Sequence, residues 1–196
     1  MGGVAFLRAC HGGRSPHTLS PGCRMIFRFS KKLCSRLKTG PLRPRALDAN
    51  PLADWTAHLF FADRTPYILV SNTPSLYSIV LYAKGIPDDS RFITRALATL
   101  REFMEGDGLA DAYHRSIVPE TGLIYFASSL NRSVTGSMNE LIESAKAILL
   151  RDEISPYDLG FQLNDLLLSA IAPSKAHGYG KPREAFRRLI DESESR

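Results

Sequence analysis

The chain has 196 residues, 44% of them hydrophobic and 23% charged, which is the composition of a globular domain and excludes a disordered polymer. No run approaches the roughly 18 apolar residues that a membrane-spanning helix needs, so no membrane partner is expected. The formal net charge of +5 hides a division: ten of the 25 Lys and Arg precede residue 48 with no acid among them, leaving 15 basic against 20 acidic residues and a net of −5 in the rest.

A nucleic-acid-binding body would spread its cations over one contiguous surface. Any such role is therefore confined to the basic N-terminal stretch. Residues 1–24 show neither helical nor strand periodicity and are dense in Gly, Pro and Ser, the pattern of a disordered basic extension. Val4 to Leu7 is too short for the apolar core, about 7–15 residues long, of a secretory signal. The acid-free composition is compatible with an organelle transit peptide but lacks a clear amphipathic helix, and three arginines are thin support for a nucleic-acid arm. Because periodicity begins abruptly at Met25, translation is expected to start there, with a single domain over residues 25–192. Cys10, Cys23 and Cys34 are odd in number and show no Cys-x-x-Cys spacing, against both a disulfide framework and a structural zinc site. Reduced thiols in a cytoplasmic protein are the expectation.

From Met25 to Phe29 the chain alternates as a short strand, with Phe27 and Phe29 on one face and Ile26 and Arg28 on the other. Ser30 stands where an N-cap belongs, and Leu33, Cys34 and Leu37 recur at helical spacing. Thr39 to Ala53, with Pro41, Pro44 and Pro51, reads as an irregular connection. Three strands follow: one through Trp55, Ala57, Leu59 and Phe61, one over Tyr67–Ser71 and one over Leu76–Ala83. The short turns between them demand antiparallel neighbours, because a parallel pair needs a crossover of about a dozen residues.

Pro87, Asp88 and Asp89 open a helix whose stripe is Phe92, Ile93, Ala96, Leu97, Leu100, Phe103 and Met104, with Gly106 as its stop. A second short helix is expected over Leu109–Ile117 and a further strand over Leu123–Ala127. Val134, Met138, Leu141, Ile142, Ala145, Ile148 and Leu149 mark another helix face. Ser155-Pro156-Tyr157-Asp158 starts a helix with the stripe Leu159, Leu163, Leu166, Leu167, Ala170 and Ile171. After Pro173 and a Gly-rich loop, Pro182 to Glu192 is a last helix burying Phe186, Leu189 and Ile190. The order lacks the repeated alternation of a doubly wound fold. It predicts an α+β class: a mostly antiparallel sheet, a β-meander plus flanking strands, packed against several amphipathic helices.

The most distinctive segment runs from Asn131 to Asn139, joining a strand to a helix start. Free N–H groups at the helix N-terminus, the guanidinium of Arg132 and the side chains of Asn131, Ser133, Thr135, Ser137 and Asn139 make it a candidate anion- or ligand-binding loop. The bland alternative is that Asn131 or Ser133 merely caps the helix and Gly136 allows close packing. Gly178-Tyr179-Gly180-Lys181 lacks the spacer and hydroxyl of a phosphate loop. There is no Gly-x-Ser-x-Gly elbow and no His-Glu-x-x-His pair, so no catalytic residue, metal site or cofactor is assigned. His58, among aromatics on a strand, reads as structural. Trp55, Tyr67, Tyr77 and Tyr82 read as core rather than as a stacking platform, since only Arg64 and Lys84 accompany them.

Three motifs carry a resemblance. They are Met25-Ile26-Phe27 followed by Ser30-Lys31-Lys32-Leu33, Asp54-Trp55-Thr56-Ala57-His58-Leu59, and Asn131-Arg132-Ser133 with Gly136-Ser137-Met138-Asn139. From Met25 onward, over residues 25–190, the chain resembles a bacterial domain-of-unknown-function family, number 6933, and is similar to the N-terminal part of plasmid ORF-3-like proteins. That resemblance implies a bacterial source and a start at Met25. The family usually has a cysteine where this chain has Phe29, which puts a thiol role there in doubt, and no activity carries over. The expectation is a non-enzymatic binding or regulatory module, open to a protein partner. Its alternatives are a small enzyme or nucleotide-binding protein using residues 131–139, and a nucleic-acid-binding protein.

Overall fold

In the computed structural model the described residues are 9–10, 24–172 and 178–195. Ala9–Cys10 is strand β1 and Met25–Phe29 strand β2, followed by helix α1 over Lys31–Leu37. The meander is β3 (Asp54–Ala62), β4 (Thr65–Asn72) and β5 (Ser78–Tyr82). Helix α2 (Asp89–Gly106), the short α3 (Ala110–Ala112) and a π-type turn at Tyr113–Ile117 lead to β6 (Ile124–Ser128). Helices α4 (Arg132–Arg151), α5 (Pro156–Asn164) and α6 (Pro182–Glu194) complete the chain.

The α+β class and the antiparallel meander stand, but the sheet is mixed. Its order is β6-β2-β3-β4-β5, with β1 outermost beside β6. β2 lies parallel to both β3 and β6, in register at Phe27↔Trp55 and Phe27↔Phe126. The reason is the length of the connection: residues 30–53 are ample for the crossover that a parallel pair requires. β1 pairs with β6 at Ala9↔Ile124 and Cys10↔Tyr125, so these two residues of the leading segment lie along the sheet edge. The rest of residues 1–23, with the extension expected there, falls outside the described residues, as do the side chains of Cys10 and Cys23.

Helices cover both faces. On the first face Phe27, Phe29, Trp55, Val70 and Ile79 meet the α2 stripe and Phe186 of α6; on the second, Phe60, Leu69 and Val80 meet Met138, Leu141 and Ala145 of α4. The caps follow from the sequence: Ser30, Asp88, Asn131 and Ser155 each accept a backbone N–H of the following first turn. Helix α5 stops at Asn164, short of the expected Ile171, and leaves Leu167 63% exposed. The fully buried Asn164 turns its amide onto the edge strand, accepting from Ser78 N–H (2.7 Å) and donating to Ser78 C=O (2.9 Å). A side chain thus fills one rung of the ladder beyond β5. Helix α6 is tied down by Asp107, whose carboxylate accepts from Arg183 and, at 2.9 Å, from the Tyr77 hydroxyl. Burial, with Asp107 adding, pushes the Tyr77 phenol well above its ordinary range.

Candidate functional site

β2 and β6 are adjacent and parallel, and the chain leaves their carboxyl ends on opposite faces. α1 buries Leu33 and Leu37 in the first core, whereas α4 buries Met138 and Leu141 in the second. Such a divergence opens a crevice, the place where α/β sheets hold ligands. Here it is a cleft of about 450 Å³ lined by Phe29 and Ser128 at the strand ends, by Lys31, Cys34, Ser35 and Lys38, and by Gly40, Pro41 and Leu42. Its size falls within the usual range for a small-molecule site, and its makeup, apolar with a few polar groups, is the usual one. Lys31 and Lys38 are exposed, and no carboxylate among the described residues pairs with either. Burial pushes the Cys34 thiol up, so the sulfur stays protonated and adds soft apolar surface rather than charge.

One wall of the cleft belongs to residues 39–50, which cross the end of the sheet without regular structure apart from Asn50's turn into Pro51–Ala53. The carbonyl of Arg43 accepts from Ser128 N–H at 3.1 Å, and the Arg45 guanidinium lies 4.3 Å from the Tyr125 ring centre. Beneath this strap lies an unexpected ion pair. Arg28, next to the end of β2, has no exposed surface and grips Asp54 through Nε and Nη2, both at 2.7 Å. Its remaining donors reach the carbonyls of Arg45 (2.8 Å) and Ala46 (2.7 Å), while Asp54 accepts from Asp48 N–H (3.1 Å) and the Thr73 hydroxyl (2.7 Å). Each bond is of normal length, and the charges are paired as burial demands.

The segment expected as an anion loop is largely the first two turns of α4. Asn131 caps the helix, accepting from Val134 N–H at 3.0 Å; the Thr135 hydroxyl donates to Asn131 C=O and the Ser137 hydroxyl to Ser133 C=O. Ser137 is buried, and Asn139 is exposed two turns into the helix. Arg132 and Ser133 remain exposed, and Ser133 and Ser137 border a hollow of about 220 Å³ with Leu47, Thr73 and Leu130. A Cβ at Gly136 would meet nothing within 4 Å, so close packing does not account for that glycine. The Thr135 and Ser137 hydroxyls thus donate to the helix backbone, and the cleft at Phe29 and Ser128 is the larger of the two hollows. In the sequence Lys31 stands out only within the Ser30-Lys31-Lys32-Leu33 motif of a basic stretch, and nothing there places Ser128 beside it. The available signal was that both strands end one or three residues before an N-capped helix.

His58, on the second face, is 5% exposed and its Nε2 has no hydrogen-bond partner among the described residues. Burial lowers its pKa to about 4, leaving the ring neutral at pH 7. Trp55, Tyr67 and Tyr77 are buried in the core as expected, whereas Tyr82, at the end of the edge strand β5, is 51% exposed. Among the described residues no helix is long and apolar enough to cross a membrane, and no group of three or more His, Cys, Asp or Glu could hold a metal ion.

A mixed sheet with helices on both faces and a cleft at the carboxyl ends of its parallel strands defines an α+β fold. The chain belongs to the family described as Domain of unknown function (DUF6933), which it matches over residues 26–185. Met25 apart, the match takes in the motifs around Phe27, Trp55 and Arg132 on which the resemblance rested. No curated protein matches the chain.

Proposed function

We propose that the protein is a non-enzymatic binding or regulatory module that holds an organic anion in the cleft at the ends of β2 and β6. The observation that carries this reading is that Lys31 and Lys38, neither paired with a carboxylate among the described residues, line a cleft whose floor is Phe29, Cys34 and Leu42. An acidic group in the cleft is attracted by both ammonium groups while an apolar body covers the floor. A ligand with both parts is favoured over inorganic phosphate, which leaves the floor wet.

Thermal unfolding with octanoate, 2-naphthoate, nucleoside monophosphates and inorganic phosphate tests this. At a hundredfold excess over Kd a ligand adds about 2.7 kcal/mol, which raises Tm by roughly 5–10 °C in a domain of this size. Lys31→Ala with Lys38→Ala abolishes the shift. A screen with no stabilising anion, or a shift unchanged in that double variant, refutes the reading. A shift that instead disappears with Arg132→Ala relocates the site to the start of α4.

A further inference from the structure

Taking the cleft as the ligand site, we propose that the buried Arg28–Asp54 pair is its positioning device, setting the cleft wall by holding the backbone strap of residues 39–50. Arg28 and Asp54 make three bonds to that strap, at Arg45 C=O, Ala46 C=O and Asp48 N–H. These bonds fall where the strap is least packed. Residues 43–47 are all exposed, Leu47 by 44%, so no apolar side chain anchors this stretch. Its other ties include the Arg43–Ser128 backbone bond, the stacking of Arg45 on Tyr125, the Arg24–Asp48 ion pair (2.9 Å), the Asn50–Glu120 hydrogen bond (2.8 Å) and the packing of Leu42 on the first core. Upstream, Lys38 (φ 57°) and Gly40 (φ 71°) both adopt the left-handed region, a bend that leads straight into the wall residues Pro41 and Leu42. Leu42 packs on the first core, and what Arg28 and Asp54 hold sets the run of the strap beyond it, and with it the stand of the wall relative to Lys31.

A stabilising role alone makes a different prediction. Well-packed apolar residues replace buried ion pairs at little cost in stability, but they offer nothing to the two carbonyls and the amide of the strap. The full chain carrying Arg28→Met with Asp54→Leu is the discriminating variant. Trypsin reads the strap directly, because the Lys38 and Arg45 bonds lie in it and the Arg43 bond, preceding Pro44, is spared.

The expected result is a melting temperature close to wild type, cleavage after Arg45 faster by roughly tenfold or more, and binding of the anion selected by the thermal screen weaker by roughly tenfold or more. Unchanged cleavage and unchanged affinity in a variant that melts normally overturn the proposal. If wild type binds none of the probes, the binding reading fails, and the trypsin rates alone decide whether the pair holds the strap. If the double variant does not melt cooperatively, hydrogen exchange in wild type decides: slow exchange at Asp48 N–H supports the tether, and exchange at the rate of a free amide overturns it.

Discussion

Replacing His58 by leucine tests the burial of that ring through its effect on acid stability. An unfolded histidine takes up a proton near pH 6.5, whereas the folded ring resists until about pH 4 because burial disfavours the charged form. The folded pKa is the lower one, so the stability associated with the neutral ring is fully present above pH 6.5 and is lost as pH falls toward 4. Between those limits the unfolded state binds one more proton than the native state, and stability falls by about 1.4 kcal/mol per pH unit. At pH 5 the loss is about 2 kcal/mol, and by pH 4 it approaches 3 kcal/mol, on the order-of-magnitude scale of such linkage. Carboxylates titrate over the same range, so the informative quantity is the difference between wild type and His58→Leu. Urea unfolding at pH 7.5 and pH 5 measures it. The variant is expected to lose about 2 kcal/mol less than wild type across that interval. Equal losses in the two proteins would show that the ring accepts a proton in the fold, and the assignment of His58 to a dry interior would be wrong.

Two further substitutions probe the packing that carries the sheet. A Cβ at Gly160 would stand 2.7 Å from Cε2 of Phe103, a ring fixed among Tyr77, Tyr157 and Phe161, so Gly160→Ala is expected to cost about 1–3 kcal/mol in urea unfolding despite the better helix propensity of alanine. Asn164→Leu strips the partners from Ser78 N–H and C=O in the interior and is expected to cost about 3 kcal/mol, with faster exchange at the Ser78 amide as the local readout.

The helices were legible because their information is local. The α2 stripe from Phe92 to Met104 is buried as its spacing required, Leu97 alone being half-exposed, and every side-chain cap expected at Ser30 and Ser155 formed. What escaped was set by pairs distant in sequence. Arg28 looked like the wet face of a half-buried strand, yet β2 is covered on both sides, and its partner Asp54 lies 26 residues away. A parallel strand flanked on both faces normally reads as continuous apolar sequence, and the single arginine in MIFRF broke that signature. The candidate site suffered similarly. Asn131, Thr135 and Ser137 were visible as polar residues, but only the helix register shows that their oxygens are engaged by α4 itself. Ser128 and Lys31 come together solely because β6 aligns beside β2.

The amide of Asn164 has a consequence for how these molecules behave when crowded. An uncovered edge strand is an invitation for a second chain to extend the sheet, and repeated extension ends in insoluble fibrils. On β5 the rung at Ser78 is already taken, and α5 sits alongside with Tyr157 and Phe161 in one core and Leu159 and Leu163 in the other. A neighbour seeking to add a strand there must first peel α5 from both layers. Solubility at that border is thus written into the same contacts that make the domain fold.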